Sequence, residues 1–208
     1  KYGPDGWYDY SRNDAHNLLA DLYLMSLNEE DLARVYDAGQ DRVNSWIKYL
    51  DGKDPDYPVR ALQAELAVIR QRSENIRNDK STPDTRYSDS TQPNSGPGTT
   101  ALVNLSMGGL HPLSPGGILF CQLRYFDSLH QRPGLPQDVA ALISDMNEEY
   151  LTLTLVNTNQ VESRDLLIQA GAYGEHQIEK LSLNGETFMV DRNHFEVRLS
   201  PGCGSEMT

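Results

Sequence analysis

The chain has 208 residues, of which 38% are hydrophobic, and 18 lysines and arginines against 30 aspartates and glutamates give a formal net charge of −12. No stretch approaches the roughly 18 uncharged apolar residues that a membrane-spanning helix requires, and no basic face is visible that would neutralise nucleic-acid phosphates. We therefore expect neither a membrane span nor a nucleic-acid partner.

The first predicted elements are two helices that form a hairpin. Residues 12 to 27 carry apolar side chains at helical spacing, and Ser11 followed by Asp14 resembles a capping box. Asn28 predicts the N-cap of a second helix, whose apolar residues continue along one face to Leu50. A turn this short requires the two helices to pack antiparallel.

A third helix is predicted to begin near Pro58, which suits the first turn of a helix. Its apolar side alternates steps of three and four residues and consists of Val59, Leu62, Leu66, Ile69, Ser73 and Ile76. Such a narrow seam indicates a packed edge or a short coiled coil. We expect residues 1–78 to form a helical region with this helix at its periphery.

Residues 79–98 are nearly all polar or turn-forming, which predicts a linker or a long surface loop before a β-rich region at residues 99–208. In that region, residues 101–110 are ambiguous between helix and strand. Residues 118–126 have the composition of a strand. Residues 136–147 have apolar side chains at helical spacing and predict the one helix of the region.

Short strands separated by turns follow, which brings the expected count to about five. Residues 151–156 alternate clearly, and Asn184-Gly185 favours a type I′ hairpin turn. The predicted class is therefore α+β, with an antiparallel β-sandwich-like domain after the helices. The sequence stops after a turn at Pro201-Gly202, where another strand is expected, so we expect truncation at this end and further chain upstream of residue 1.

The densest group of reactive and aromatic side chains lies at residues 7–16. Aromatic rings stack on sugar faces, and two carboxylates that face one bond can cleave a glycoside. These considerations nominate Asp9 and Asp14 as acid and base, His16 as the general base of a lyase, and, as substrate-binding residues, Trp7, Tyr8, Tyr10 and Arg12. The alternative is structural, because aromatic residues before a helix often form a staple and Asp14 suits a cap.

A second candidate is the glycine-bracketed loop Gly171–His176, in which Tyr173 and His176 are candidate binding residues. Loop tips on rigid sandwiches often carry binding residues, although the glycines also suit a wide turn or bulge. No cofactor motif is present, since the chain has neither a nucleophile elbow nor a phosphate-binding glycine loop.

Metal binding is not expected. Three aspartates, Asp51, Asp54 and Asp56, are spaced somewhat like a calcium loop but lack a closing Glu. Four histidines show no ligand spacing: His111, His130, His176 and His194. Cys121 has a core-like position. Cys203 can pair with it only if their Cα atoms come within about 7 Å, and this pairing is left open.

Residues 13–23, Asn-Asp-Ala-His-Asn-Leu-Leu-Ala-Asp-Leu-Tyr, resemble a hairpin of (α/α)-toroid carbohydrate-active enzymes. Residues 154–159 and 169–177 are similar to the C-terminal end of long uncharacterised bacterial proteins. The resemblance implies part of a larger, exported protein that acts on carbohydrate by hydrolysis or lyase chemistry, with a supporting sandwich. It transfers no catalytic residue to this chain.

Two interpretations of the function remain open, and the first is the carbohydrate-acting protein just described. In the second, the chain is a non-catalytic binding or structural module that presents the loop at Gly171–His176. The net charge of −12 repels polyuronates, so a neutral glycan is the expected partner.

Overall fold

A computed structural model describes residues 12–82, 98–110 and 120–208, with side chains described from residue 17 onward. The helices are α1 (Arg12–Ser26), α2 (Glu29–Asp37), a short 3-10 helix (Gln40–Arg42), α3 (Ser45–Leu50), α4 (Tyr57–Asn78) and α5 (Thr100–Met107). Among these described helices, none is both long and apolar enough to cross a membrane.

The N-terminal helices pack as the expected hairpin, but the second arm is interrupted. The N-cap prediction at Asn28 is confirmed, since its side chain accepts a hydrogen bond from the backbone N–H of Glu30. A single helix to Leu50 was the wrong prediction. The chain turns at Gly39, which has a φ of +147° that suits glycine, and Asn44 caps α3 through the backbone N–H of Trp46.

The strands form two antiparallel sheets, which confirms the predicted α+β class with a sandwich-like β region. The described residues contain nine strands where about five were expected: β1 (Leu123–Asp127), β2 (Arg132–Pro133), β3 (Val139–Met146), β4 (Leu151–Asn157), β5 (Arg164–Ala170), β6 (Ile178–Leu183), β7 (Glu186–Arg192), β8 (His194–Leu199) and β9 (Gly204–Met207). One sheet has the order β2-β1-β5-β8, and the other has the order β3-β4-β9-β6-β7.

The prediction of a helix at residues 136–147 is wrong, because Val139–Met146 is a strand paired with β4. A register shift lies between Ile143 and Asp145. A bulge adds one residue to a strand and moves the following side chains to the other face. As a result the buried side chains are Ile143 and Met146, three residues apart, a spacing that imitates a helix.

The end of the described chain also differs from the expectation. A strand was predicted to be missing after Gly204, whereas Gly204–Met207 itself forms β9 and pairs with both β4 and β6. The hairpin turn at Asn184-Gly185 is confirmed, since both residues have positive φ, at 52° and 82°, as a type I′ turn requires.

One hydrophobic core joins the helices to the sandwich. It contains Trp46 and Ile47 of α3, Leu105 of α5 and the inward side chains of both sheets. Helix α5 packs on β3 and on α4, and the carboxylate of Glu65 in α4 accepts the backbone N–H of Ala101 at 2.6 Å, at the N-terminus of α5. The helical region and the sandwich therefore share buried surface.

Candidate functional site

The loop Gly171–His176 connects β5 of one sheet to β6 of the other at one end of the sandwich. Several side chains hold its backbone. Arg124 donates to the carbonyl of Ala172 at 2.9 Å, and Asn193 donates to the carbonyl of Gly174 at 3.2 Å. The loop is thus fixed to both β1 and the β7–β8 turn.

Glu175 braces the same loop from within. Its carboxylate accepts the backbone N–H groups of Ala172 at 3.1 Å and of Tyr173 at 2.7 Å. Its own backbone N–H and those of Tyr173 and Ala172 lower the pKa of Glu175, because hydrogen bonds to a carboxylate favour its charged form.

Gly171 is required at the start of the loop for two reasons. Its φ is +84°, and a Cβ atom here would lie 2.4 Å from the Glu175 carboxylate. A side chain at residue 171 would therefore displace the brace. The glycines therefore serve the backbone turn that the alternative interpretation required. That finding does not decide whether the Tyr173 and His176 side chains bind a ligand.

The braced loop presents two of the predicted binding residues to solvent. The Tyr173 ring is 74% exposed, and His176 is exposed as well. A large exposed aromatic ring on a fixed backbone offers a flat apolar face at little cost in conformational entropy.

A cleft of about 740 Å³ opens between the two sheets beside this loop, and His176 belongs to its lining. The floor is apolar and draws on both sheets, with Leu123, Ile168 and Phe195 from one and Met146, Leu153 and Met207 from the other. This volume is in the range of small-molecule sites.

The rim of the cleft is polar and includes residues that the sequence did not nominate. The β3–β4 turn contributes Glu148, Glu149 and Tyr150. Asn147 fixes this turn by accepting the backbone N–H groups of Glu149 at 2.8 Å and Tyr150 at 3.0 Å. Because residues 136–147 were predicted to be helical, the hairpin turn that follows them went unrecognised.

The charge of the rim is mainly negative. Glu148, Glu149 and Glu179 line the cleft together with the single cation Lys180 and with His176. Carboxylates at the mouth of a partly apolar cleft repel anionic ligands and accept hydrogen bonds from hydroxyl groups.

The first cluster predicted from the sequence falls on residues whose side chains lie outside the described part of the chain. Trp7, Tyr8, Asp9 and Tyr10 lie outside the described residues, while Arg12, Asp14 and His16 belong to the backbone of α1 and their side chains are not described. Their proposed roles as acid, base and sugar-binding groups stay predictions.

The β1–β2 turn holds a carboxylate–imidazole pair that the sequence had not singled out. The buried Asp127 carboxylate lies 2.8 Å from His130 Nδ1 and 3.3 Å from the Arg132 guanidinium. Burial raises the pKa of Asp127, but the hydrogen bonds from the His130 ring and backbone outweigh it and lower the pKa overall. The backbone N–H of His130 also bonds Asp127, which marks the group as part of the turn.

The acidic loop and the cysteines behave as structural groups. Asp51 contacts Lys53 and accepts from the Tyr36 hydroxyl, and Asp54 pairs with Arg60. No group of three potential metal ligands occurs within the described parts of the chain.

The two cysteines form no disulfide with each other. Cys121 and Cys203 are both free thiols, and burial raises the pKa of Cys121 to about 11.

Comparison with known protein families yields a match to part of the chain. The sequence model of a family described as Domain of unknown function (DUF8034) matches residues 36–103, from the end of α2 through the first half of α5. This range is less than half of the chain and excludes the loop and the cleft. No curated protein and no solved structure gives a significant match.

Proposed function

We propose that the sandwich binds a neutral oligosaccharide in the cleft beside the loop Gly171–His176. The chain would then serve as the supporting, glycan-binding part of a protein that acts on carbohydrate. The observation that carries this proposal is a loop with a fixed backbone that exposes Tyr173 and contributes His176 to the lining of a cleft of about 740 Å³.

The chemistry of the cleft matches a sugar on both its apolar and its polar sides. A pyranose ring has an apolar face of C–H groups that packs on aromatic rings. Here Tyr150 and Phe195 line the cleft, and Tyr173 stands on the adjacent loop. The hydroxyl groups of the sugar would bond the carboxylates of Glu148, Glu149 and Glu179 at the rim.

The charge of the same rim favours an uncharged glycan. A polyuronate would bring one carboxylate per sugar against the glutamates of the rim, and the net charge of −12 adds to this repulsion. A neutral oligosaccharide meets no such barrier.

The test is isothermal titration of the full chain with a panel of neutral hexasaccharides (cellohexaose, xylohexaose, mannohexaose and maltohexaose) and with hexagalacturonate. We expect measurable binding of at least one neutral member and none of hexagalacturonate. Tyr173→Ala and Tyr150→Ala should each weaken binding about tenfold, the value of roughly 1.4 kcal/mol expected for one lost aromatic stack.

Leu129→Ala is the matched control, since Leu129 is also 74% exposed and lies in the β1–β2 turn. It should bind like the unchanged chain. Absence of binding to every hexasaccharide, or equal losses for Leu129→Ala and Tyr173→Ala, would contradict the proposed site.

Catalysis remains a separate proposal and rests on the cluster at residues 7–16. If Asp9 and Asp14 act as acid and base, Asp9→Asn and Asp14→Asn should abolish glycan turnover by the longest natural form of the protein and leave its unfolding midpoint unchanged. Retained turnover in both variants would contradict this placement of the acid and base. Absence of turnover in the unchanged protein would favour the second candidate, a non-catalytic module.

A further inference from the structure

Within the described residues, helix α4 leaves most of its apolar side exposed, and of its six seam residues only Ile69 and Ser73 are half-buried. None of its 22 residues is buried, and Val59, Leu62, Leu66 and Ile76 are between 38% and 63% exposed. The side of α4 that faces the chain lies next to this apolar side, and there the Glu65 carboxylate accepts hydrogen bonds from the N-terminus of α5. An exposed row of apolar side chains along a helix of this length indicates a surface for contact with a partner.

The seam is symmetric about its own centre. If a second α4 lies antiparallel to the first, with a two-fold axis between residues 67 and 68, Val59 meets Ile76, Leu62 meets Ser73, and Leu66 meets Ile69. Every seam position then finds a seam position in the other copy. The Ser73 hydroxyl donates to the Ile69 carbonyl of its own helix at 2.8 Å, so it enters such a contact already satisfied.

The charges beside the seam match in the same arrangement. The flank that faces away from the body of the chain carries Asp56, Arg60, Glu74 and Arg77. Around this axis Asp56 comes within two residues of the position opposite Arg77 of the other copy, and the two-fold axis repeats this pair, whereas Arg60 and Glu74 lie on the outer side of the two helices. Within the described residues Asp56 and Arg77 form no ion pair, whereas Arg60 also contacts Asp54.

A parallel pair lacks this match. It would set the free flank of one helix against the opposite flank of the other, where Glu65 is engaged at α5. The antiparallel arrangement sets the free flank of each copy against the free flank of the other, and the two flanks that carry Glu65 against one another.

We propose that α4 pairs antiparallel with α4 of a second copy of this chain through Val59, Leu62, Leu66, Ile69, Ser73 and Ile76. The contact spans one helix of 22 residues, or about three heptads at 3.5 residues per turn. This limited length makes the dimer weak and dependent on concentration.

The test is sedimentation equilibrium of the full chain over a wide range of concentration. We expect monomers at the dilute end and dimers at the concentrated end. Leu66→Glu should raise the dissociation constant more than tenfold, because it places like charges near the two-fold axis.

Val68→Glu is the matched control. Val68 is 46% exposed and Leu66 is 44% exposed, but residues 66 and 68 point to opposite sides of a helix with 3.6 residues per turn. Val68→Glu should dimerise like the unchanged chain, and circular dichroism should show both variants folded.

A charge exchange tests the orientation. Asp56→Lys and Arg77→Glu should each weaken the dimer severalfold, since each sets like charges opposite one another, and the double variant should restore it. A monomer at every concentration, equal losses for Val68→Glu and Leu66→Glu, or no restoration in the double variant would each overturn the proposal.

Discussion

The β-sandwich and helix α4 both carry apolar side chains at regular spacing, yet only the sandwich covers them. Leu155, Leu166 and Ile168 have no exposed surface, whereas Val59 in α4 is 63% exposed. The sandwich encloses a core between two sheets, and α4 contributes no buried residue to any core. The pattern of apolar residues therefore marks a core in one region and an open contact surface in the other.

The largest expected effect comes from shortening one aliphatic side chain to alanine in each region. Ile168→Ala should lower the free energy of unfolding by about 2–5 kcal/mol, the range for deleting a buried aliphatic side chain. Leu66→Ala should lower that of the monomer by less than about 1 kcal/mol, as expected of an exposed helix position. Urea unfolding at dilute concentration measures both, and similar losses would remove the distinction between the regions.

A second test addresses the junction between the regions. Asn28 caps α2, and its side-chain nitrogen donates to Glu148 in the sandwich at 2.7 Å. Asn28→Ala should cost about 1 kcal/mol of stability, the typical value of a lost N-cap. Thermal unfolding monitored by circular dichroism provides the measurement.

Asn28→Asp separates the two roles of this residue. It keeps the oxygen that caps α2 but replaces the donor to Glu148 with a like charge. If Asn28→Asp is as stable as the unchanged chain, the cap accounts for the whole effect. If it loses as much as Asn28→Ala, the link to the sandwich is the larger contribution.

The smallest expected effect is local and depends on pH. The fold lowers the pKa of Glu175 below the ordinary glutamate value of 4.5, so its bonds to the loop are complete above pH 4.5 and are lost as the pH falls through the lower folded value. The amide proton shifts of Ala172 and Tyr173 should move together over that range in an NMR titration. In Glu175→Gln they should not titrate there, and an unchanged titration would refute the brace.

Local chemistry made part of the fold predictable. Asn28 was identified because an amide side chain before three acidic residues suits the positive end of a helix. The Asn184-Gly185 turn was identified because few residue pairs adopt two successive positive φ angles. Both features depend on neighbours in sequence alone.

Features that depend on distant partners were not predictable in the same way. The bulge near Ser144 gave β3 a helical spacing of apolar residues, and this error concealed the turn that carries Tyr150. Of the candidate site, the sequence identified Tyr173 and His176, but the brace by Glu175 and the apolar floor of the cleft require the packing of two sheets. The narrow seam of α4 indicated a peripheral helix, but its spacing does not distinguish a side packed against the chain from an open one.

The position of β9 has a consequence for how the protein is made. β9 lies between β4 and β6, although both strands are synthesised many residues before it. Until residues 204–207 leave the ribosome, the sheet consists of two separate hairpins whose unpaired backbone groups are open to other chains. This sheet can close only as β9 inserts between strands made earlier, so crowded nascent chains are exposed to misassembly during that interval.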